Sequence, residues 1–532
     1  PNGLSSGASF VVFGKADGAA VELSTVEAGT GGFVINGVAT GDYSGRSVSS
    51  AGDVNGDGFD DLIIGADYDD PNGSNSGASF VVFGKSGGAV VELSEIELGT
   101  NGGGFVINGV ATGDYSGRSV SSAGDINGDG FDDLIIGAFF DDPNGESSGA
   151  SFVVFGKADG AKVELSEIEL GTNAGGFVIN GVAEGDYSGW SVSSAGDVNG
   201  DGLDDLIVGA LVDDPNGNGS GASFVVFGKA DGAAVELSTV EAGTGGFVIN
   251  GVAEYDQSGT SVSSAGDVNG DGFDDLIIGA SFDDPNGEAS GASFVVFGKA
   301  DGAAVELSTV EAGTGGFVIN GVAEYDQSGY SVSSAGDVNG DGFDDLIIGA
   351  NRDDPNGSNS GASFVVFGGD FTGAATQVGT TGADTLTGTA GNDVLIAGTG
   401  DDTLIGSGGA DVLRGGAGND ILAVSTSDFT KIEGGSGTDT LRLDGTGLSL
   451  DFRTIADSAI AEIEIIDLNG QGNLVSLDVL EVLRLSDSSN TVRILGDNTD
   501  GVTLYGDSWN TEAAFTDSFG TYVPYSDGNA EV

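Results

Sequence analysis

Five copies of one acidic loop carry most of the chemistry this sequence can offer. The first reads Asp53-Val-Asn55-Gly-Asp57-Gly-Phe59-Asp60-Asp61. Oxygen-bearing side chains stand at positions 1, 3, 5 and 9 (Asp53, Asn55, Asp57 and Asp61), and Phe59 at position 7 offers its backbone carbonyl. Glycines at positions 4 and 6 permit the sharp turn that points these oxygens at one centre. Hard oxygen donors on a flexible loop suit Ca²⁺. The pattern returns as Asp125, Asn127, Asp129, Phe131 and Asp133, and again as Asp197, Asn199, Asp201, Leu203 and Asp205. It recurs as Asp267, Asn269, Asp271, Phe273 and Asp275, and last as Asp337, Asn339, Asp341, Phe343 and Asp345. Leu203 in place of Phe is harmless where only the carbonyl binds. Position 12 is Ile64 rather than a bidentate glutamate, and the strand-like stretch Asp61 to Ala66 stands where an EF-hand has a helix, so this is not an EF-hand. Asp60, first of the Asp-Asp pair, is expected to support the loop rather than bind the ion.

The competing reading is a solvated acidic turn. Two carboxylates about 4 Å apart repel by roughly 4 kcal/mol at an effective dielectric near 20, and three gathered in one loop cost on the order of 10 kcal/mol without a cation. A second acidic series follows. Asp384, Asp393, Asp402, Asp411 and Asp420 recur every nine residues, in step with Leu386, Leu395, Leu404, Leu413 and Leu422. A sixth copy, Gly434 to Arg442, brings Asp439 after an interruption.

The elements that must hold these loops are legible as repeats. The block PNG…SGASFVVFG begins at Pro1, Pro71, Pro143, Pro215, Pro285 and Pro355, spaced by 70, 72, 72, 70 and 70. Each full period carries SVSSAG, DLIIGA, ASFVVFG and GFVINGV, short β-branched and aromatic runs bounded by Gly, Asn, Asp and Pro. Four antiparallel strands in a long repeat make a β-propeller blade; a stacked array or sandwich of β units is the alternative. Nothing in the first 368 residues shows sustained helical periodicity. A Thr/Ala/Gly linker at 369–378 leads to the nine-residue repeats at 379–442, where glycine turns alternating with one leucine describe a parallel β-roll. From 443 to 532 the chain reads as a β-rich solenoid extension, with IAEIEIIDL, VLEVLRL and NTVRIL as strands and Trp509 and Tyr522 in a C-terminal cap. The fold class is all-β.

Composition narrows the function. Fifteen basic against 83 acidic side chains give a formal charge of −68, which excludes nucleic-acid binding through counterion release. With no His and no Cys there is no Ser-His-Asp triad, Cys-His dyad or thiolate zinc site. Hydrophobic residues make up 39%, enough to argue against disorder, and no apolar run approaches the roughly 18 residues of a membrane span. The sequence begins at Pro1 without a signal-peptide pattern, so a processed or partial chain is expected. Twenty of the 83 acids lie in the five loops, so much of the charge reads as capacity for divalent cations.

The DxNxDGxxD loops, set inside FVVFG and IIGA strands over residues 1–368, resemble the FG-GAP repeats of integrin α-subunit propellers. That resemblance implies one calcium loop per blade, with the residues named above as ligands. Integrin propellers have seven blades and five loops are present here, so a larger or an incomplete ring is expected. If Phe33 to Ala39 closed the last blade, five complete blades would form and Ser9 to Gly14 would be left over. The nine-residue units, cleanest as Gly415-Gly-Ala-Gly-Asn-Asp420-Ile-Leu422-Ala, are similar to RTX (haemolysin-type) calcium-binding nonapeptides. By that likeness Asp384, Asp393, Asp402, Asp411, Asp420 and Asp439 hold Ca²⁺; Thr380, Thr389 and Ala397 replace glycines, so fewer ions than turns are expected. The RTX likeness also implies bacterial secretion to the outside or cell surface through type I machinery with a C-terminal signal.

Differences between the repeats point to a second surface. Substitutions concentrate before SVSS (Arg46, Arg118, Trp190, Thr260, Tyr330) and after the GA of strand two (Asp67-Tyr68, Phe139-Phe140, Leu211-Val212, Ser281-Phe282, Asn351-Arg352). In an up-and-down blade both spots lie at the end away from the metal loop. Arg46, Arg118, Trp190, Tyr330, Phe139, Phe140 and Arg352 are the types enriched at binding hot spots, so this face is expected to bind an extracellular protein or glycan; drift at tolerant positions is the alternative. The sequence therefore predicts a calcium-stabilised adhesion or ligand-binding protein, with a surface-layer or matrix assembly protein and an accessory region of an extracellular hydrolase as alternatives. It is not expected to be an enzyme.

Overall fold

Short apolar blocks with Gly/Asp/Asn boundaries become strands, and their order in each repeat fixes their order in the sheet. The computed structural model describes residues 2–532 except 16–17, 101, 173–174, 487–489, 507–508, 512–514, 517–520, 523 and 527–529, with backbone alone at 457, 515–516 and 521–522. In the second blade Ser119–Gly124, Asp133–Ala138, Ala150–Val154 and Gly176–Asn180 pair antiparallel in sequence order. Asp133–Ala138 and Ala150–Val154 are buried throughout, as expected of strands covered on both faces. A register shift between Ser122 and Gly124, opposite Asp133, bends the ladder where the acidic loop departs.

Neighbouring blades are latched at their outer edges. Val235–Glu236 of the next repeat adds in parallel to Ile179 and Asn180, and the Glu236 carboxylate accepts from the side-chain amides of Asn180 (2.8 Å) and Asn144 (3.1 Å). The same latch recurs with Glu92, Glu164 and Glu306. A five-residue helix, Leu237–Glu241, follows the latch strand; at barely more than one turn it is too short to register as periodicity. The core lies between blades: Ile135, Val153 and Phe177 of one pack with Val192, Leu206 and Phe224 of the next.

Four blades have all four strands. Phe33 to Ala39 does not close the last blade. Gly32–Asn36 pairs instead with Ala8–Val12, the strand the sequence reading left over. That hairpin has the register of every other third and fourth strand, and a local loop costs far less closure entropy than one spanning over three hundred residues. Among the described residues Ser328–Gly336, Asp345–Ala350 and Ala362–Val366 form a three-stranded blade with no further blade packed on it, so Val365 is half exposed where Val153, covered by the next blade, is fully buried.

The C-terminal part is a parallel solenoid whose coil spans two nine-residue units. Thr385–Thr387 pairs with Thr403–Ile405, and that with Ile421–Val424; Val394–Ile396 and Val412–Gly418 alternate in a second sheet. Leu395, Leu404, Leu413 and Leu422 fill the interior at 0% exposure. Gln377–Val378, assigned above to the linker, is already a rung on Leu395 and Ile396, and the ladder runs past Arg442 through Ile465–Asp467 to Arg493–Leu495. VLEVLRL is a helix, Val479–Leu485, rather than a strand. The Asp478 side chain caps it by accepting from Glu481 N–H, and the buried pair Val482 and Leu483 stands at i+3 and i+4 from Val479. Trp509 packs on the solenoid core; the Tyr522 side chain and residues 527–529 of the expected export signal lie outside the described residues.

The solenoid lies against the acidic-loop ends of the blades. Leu480 packs over Gly56 and Gly130, Ala456 over Gly202, Val412 over Gly272, and Ile396 over Gly270 and Gly342.

Candidate calcium loops and ligand face

Each loop is organised by its first and last aspartates. In loop 2, Asp125 Oδ1 accepts from Gly128 N–H (2.8 Å) and Asp129 N–H (3.1 Å), and Oδ2 from Gly130 N–H (2.9 Å). Asp129 Oδ1 accepts from Phe131 N–H at 3.1 Å. Asp133 is fully buried; its Oδ1 accepts from Gly156 N–H, in the FG turn after strand three, and its Oδ2 from Asn127 Nδ2. The other position-9 residues repeat this with Gly84, Gly228, Gly298 and Gly368. The FG and DxNxDG motifs are thus two halves of one site.

Burial raises these last aspartates far above the usual carboxylate range, Asp61 to about 8 and Asp133 and Asp205 to about 9, with the other loop carboxylates adding to the rise. The backbone amide at each offsets only part of it. Asn269 Oδ1 is buried without a hydrogen-bond partner. An orphaned acceptor beside carboxylates that resist ionisation is the chemistry a divalent cation satisfies, so the residues fit Ca²⁺. Among the described residues no three acidic groups already converge in metal-binding geometry; the ion must draw them in.

Position 8 has a role beyond its own loop. Asp132 Oδ2 accepts from Asp53 N–H (2.8 Å) in the preceding blade, and Asp204, Asp274 and Asp344 do the same for Asp125, Asp197 and Asp267. Gly124, at φ +67, leaves room for this: a Cβ there would lie 2.1 Å from Asp204 Oδ2.

In the solenoid each aspartate accepts, through Oδ1, the backbone N–H of the aspartate one coil earlier: Asp402 from Asp384, Asp411 from Asp393, Asp420 from Asp402 and Asp439 from Asp420. The second oxygens of Asp402, Asp420 and Asp439 are buried and unpartnered, again an acceptor set that fits a cation. The threonines that replace glycines fill that place in the first units: Thr380 Oγ1 donates to Asp384 Oδ2 (2.7 Å) and Thr389 Oγ1 to Asp393 Oδ2 (2.9 Å).

At the opposite blade ends the structure gathers rings. Tyr43, Tyr68, Tyr115, Phe140 and Tyr187 form a continuous row with centroids 5.1, 5.1, 5.5 and 5.4 Å apart. Trp190 joins through Phe139 at 5.1 Å, and the Arg118 guanidinium lies 4.9 Å over the Trp190 ring. Arg46 pairs with Asp67 at 3.2 Å, and the exposed Tyr330 lies within electrostatic reach of Arg118. Phe139 is 6% exposed and wedges between rings rather than facing solvent. Arg352 is exposed and, among the described residues, makes no ring contact. Comparison of repeats misses Tyr43, Tyr115 and Tyr187 because all three stand in the same GDYSG motif. Their backbones give them away, with φ of 53°, 53° and 57°, a region costly for bulky residues; each is held by its N–H to Ser5, Asn75 or Ser147.

The sequence reading also misses a second set of buried carboxylates at this end. Burial and mutual repulsion raise Asp69, Asp141, Asp186 and Asp256 to about 7. Their signal is the repeated DDPNG and GDYSG/YDQSG stretches, which the sequence reading does not use.

Comparison with known proteins agrees with this organisation. The FG-GAP repeat profile matches residues 44–82, 116–154, 188–226, 258–296 and 328–366, and the RTX calcium-binding nonapeptide repeat profile matches 378–413 and 396–424. Integrin alpha-5 of Xenopus laevis is 32% identical over 185 residues, 33% of this chain and 16% of that protein. Integrin alpha pat-2 of Caenorhabditis elegans is 28% identical over 234 residues (43% and 17%), and phosphatidylinositol-glycan-specific phospholipase D of Dictyostelium discoideum 28% over 250 (45% and 25%). The chain thus spans a quarter or less of these relatives' lengths. Five FG turns closing on five acidic loops, followed by the aspartate ladder, thus coincide with five FG-GAP repeats of the kind found in integrin alpha chains and with C-terminal RTX calcium-binding nonapeptide repeats.

Proposed function

We propose that the chain is an extracellular or cell-surface protein that adheres to a protein or glycan partner through the aromatic row, with calcium locking the blades that present it. The observation that carries this reading is the row itself: five rings in contact across three blades, with Trp190 and Arg118 beside them. Aromatic faces stack on sugar rings and anchor protein contacts at low entropic cost. The integrin names of the relatives and the RTX repeats support an outside location and export by type I machinery. No helix among the described residues is long and apolar enough to cross a membrane, which leaves β-barrel spans unaddressed. When bound, calcium supplies the positive charge that the loops' carboxylates need to converge. The same reading takes the chain as a binding protein without catalysis of its own; hydrolysis of glycans or lipids by the purified chain would overturn it.

The test is Arg118→Ala with Trp190→Ala, measured as attachment to cells, matrix and a glycan array in calcium. Loss of attachment with an unchanged melting curve is expected. Full attachment by a correctly folded double variant would sink the assignment of this face.

A further inference from the structure

The five loops share one sequence pattern, yet the solenoid touches them unequally. In loop 2, Arg484 Nη2 lies 3.5 Å from Asp125 Oδ2, and in loop 4, Arg414 Nε lies 3.7 Å from Asp267 Oδ2. Both acids are position-1 ligands. Arg414 Nη2 also lies 3.5 Å from Asp344 Oδ2, the oxygen that caps Asp267 of loop 4, and Nη1 donates to Gly342 O (3.1 Å), which is not among the ligand oxygens of loop 5. Among the described residues, loops 1 and 3 meet the solenoid through neutral donors. Asn490 Nδ2 donates to Gly58 O at 2.9 Å, and Ser458 Oγ to Asp197 Oδ2 at 3.3 Å. Arg414 cannot swing clear: it is 3% exposed and tied to Glu433 at 2.8 Å. Lys431, 3.4 Å from Asp274, adds a second cation beside loop 4.

We infer that Arg484 and Arg414 turn loops 2 and 4 into the low-affinity members of a set of otherwise equivalent calcium loops, so that the propeller fills in two stages, loops 1, 3 and 5 first. A divalent ion and a guanidinium held on the same few oxygens repel each other in a partly dry interface. By linkage, whatever factor the arginine takes from ion affinity, the ion takes from the arginine contact. Low calcium therefore leaves the solenoid held on the blades by its cations, and bound ions weaken that hold. This rests on the calcium reading of the loops.

Ion counts per full-length chain by native mass spectrometry, at stepped free calcium after chelator stripping, test it. Wild type is expected to load in two propeller stages over a constant nonapeptide background. Arg484→Gln and Arg414→Gln should each move one ion from the late stage to the early one, each tightening about fivefold or more. Arg414→Lys, which keeps the charge, should load like wild type. Adding Asp133→Asn to Arg484→Gln, or Asp275→Asn to Arg414→Gln, should erase each gain. Unchanged or weaker loading in the glutamine variants, or a gain that survives loss of the loop aspartates, overturns the inference. If Asp133→Asn leaves the wild-type count untouched, the calcium reading itself fails, a result separate from any effect of the arginines.

Discussion

At the scale of single residues, buried carboxylates govern how this protein responds to pH and metal. The folded-state values of Asp61, Asp133 and Asp205, about 8 to 9, and of Asp69, Asp141, Asp186 and Asp256, about 7, exceed those of an unfolded aspartate. A raised acid contributes its stability below the unfolded value, near pH 4, and loses it as pH climbs through the folded one. The ion-free protein should therefore melt at progressively lower temperature from pH 5 to pH 9, and saturating calcium should flatten or reverse that slope; calorimetry in chelator and in calcium reads both. Asp133→Asn separates the two roles of one carboxylate. In calcium it should lower the melting temperature by several degrees through a lost ion, whereas in chelator it should be neutral or stabilising, because an amide needs no proton taken up on burial. The two acidic series and their recurrence were legible from type and spacing. The orphaned atoms that single out Asp402, Asp420 and Asp439 were not, because whether a threonine fills a neighbouring site depends on how coils stack.

At the scale of elements, the decisive devices are the close approaches between blades. Gly124 and Gly336 occupy equivalent positions at nearly the same φ, +67° and +63°, but a Cβ at Gly124 would strike Asp204 while one at Gly336 meets nothing within 4 Å. Gly124→Ala should cost about 2 kcal/mol or more and Gly336→Ala only about 1, the backbone share alone; denaturant midpoints measure the difference. Strand identity came readily from the sequence, since alternation and boundary residues are local. The helix Val479–Leu485 did not, because its apolar face is defined only by the solenoid core it covers. The pairing of Gly32–Asn36 with Ala8–Val12 likewise follows from loop closure, which repeat counting alone does not weigh.

At the scale of the whole molecule, the solenoid docked across the loop ends is the main finding. A Cβ placed at Gly272 would lie 3.8 Å from Val412 Cβ, a spacing suited to a disulfide. The chain has no cysteine of its own, so Gly272→Cys with Val412→Cys should cross-link internally on oxidation, read as an intact-mass loss of two hydrogens with faster migration on a denaturing gel. Failure to close under oxidising conditions would show the two parts standing apart. The sequence by itself determined the repeats, the calcium chemistry and the two kinds of β architecture, because strand patterns and ligand spacings act within a few residues of one another. Only the tertiary structure decided which blade ends meet which partners. It set Arg484 and Arg414 on acids 359 and 147 residues away, lined up tyrosines that comparison of the repeats passes over, and made loops of one sequence unequal. Those outcomes depend on distance in space, and electrostatic and packing energies follow that distance rather than position along the chain.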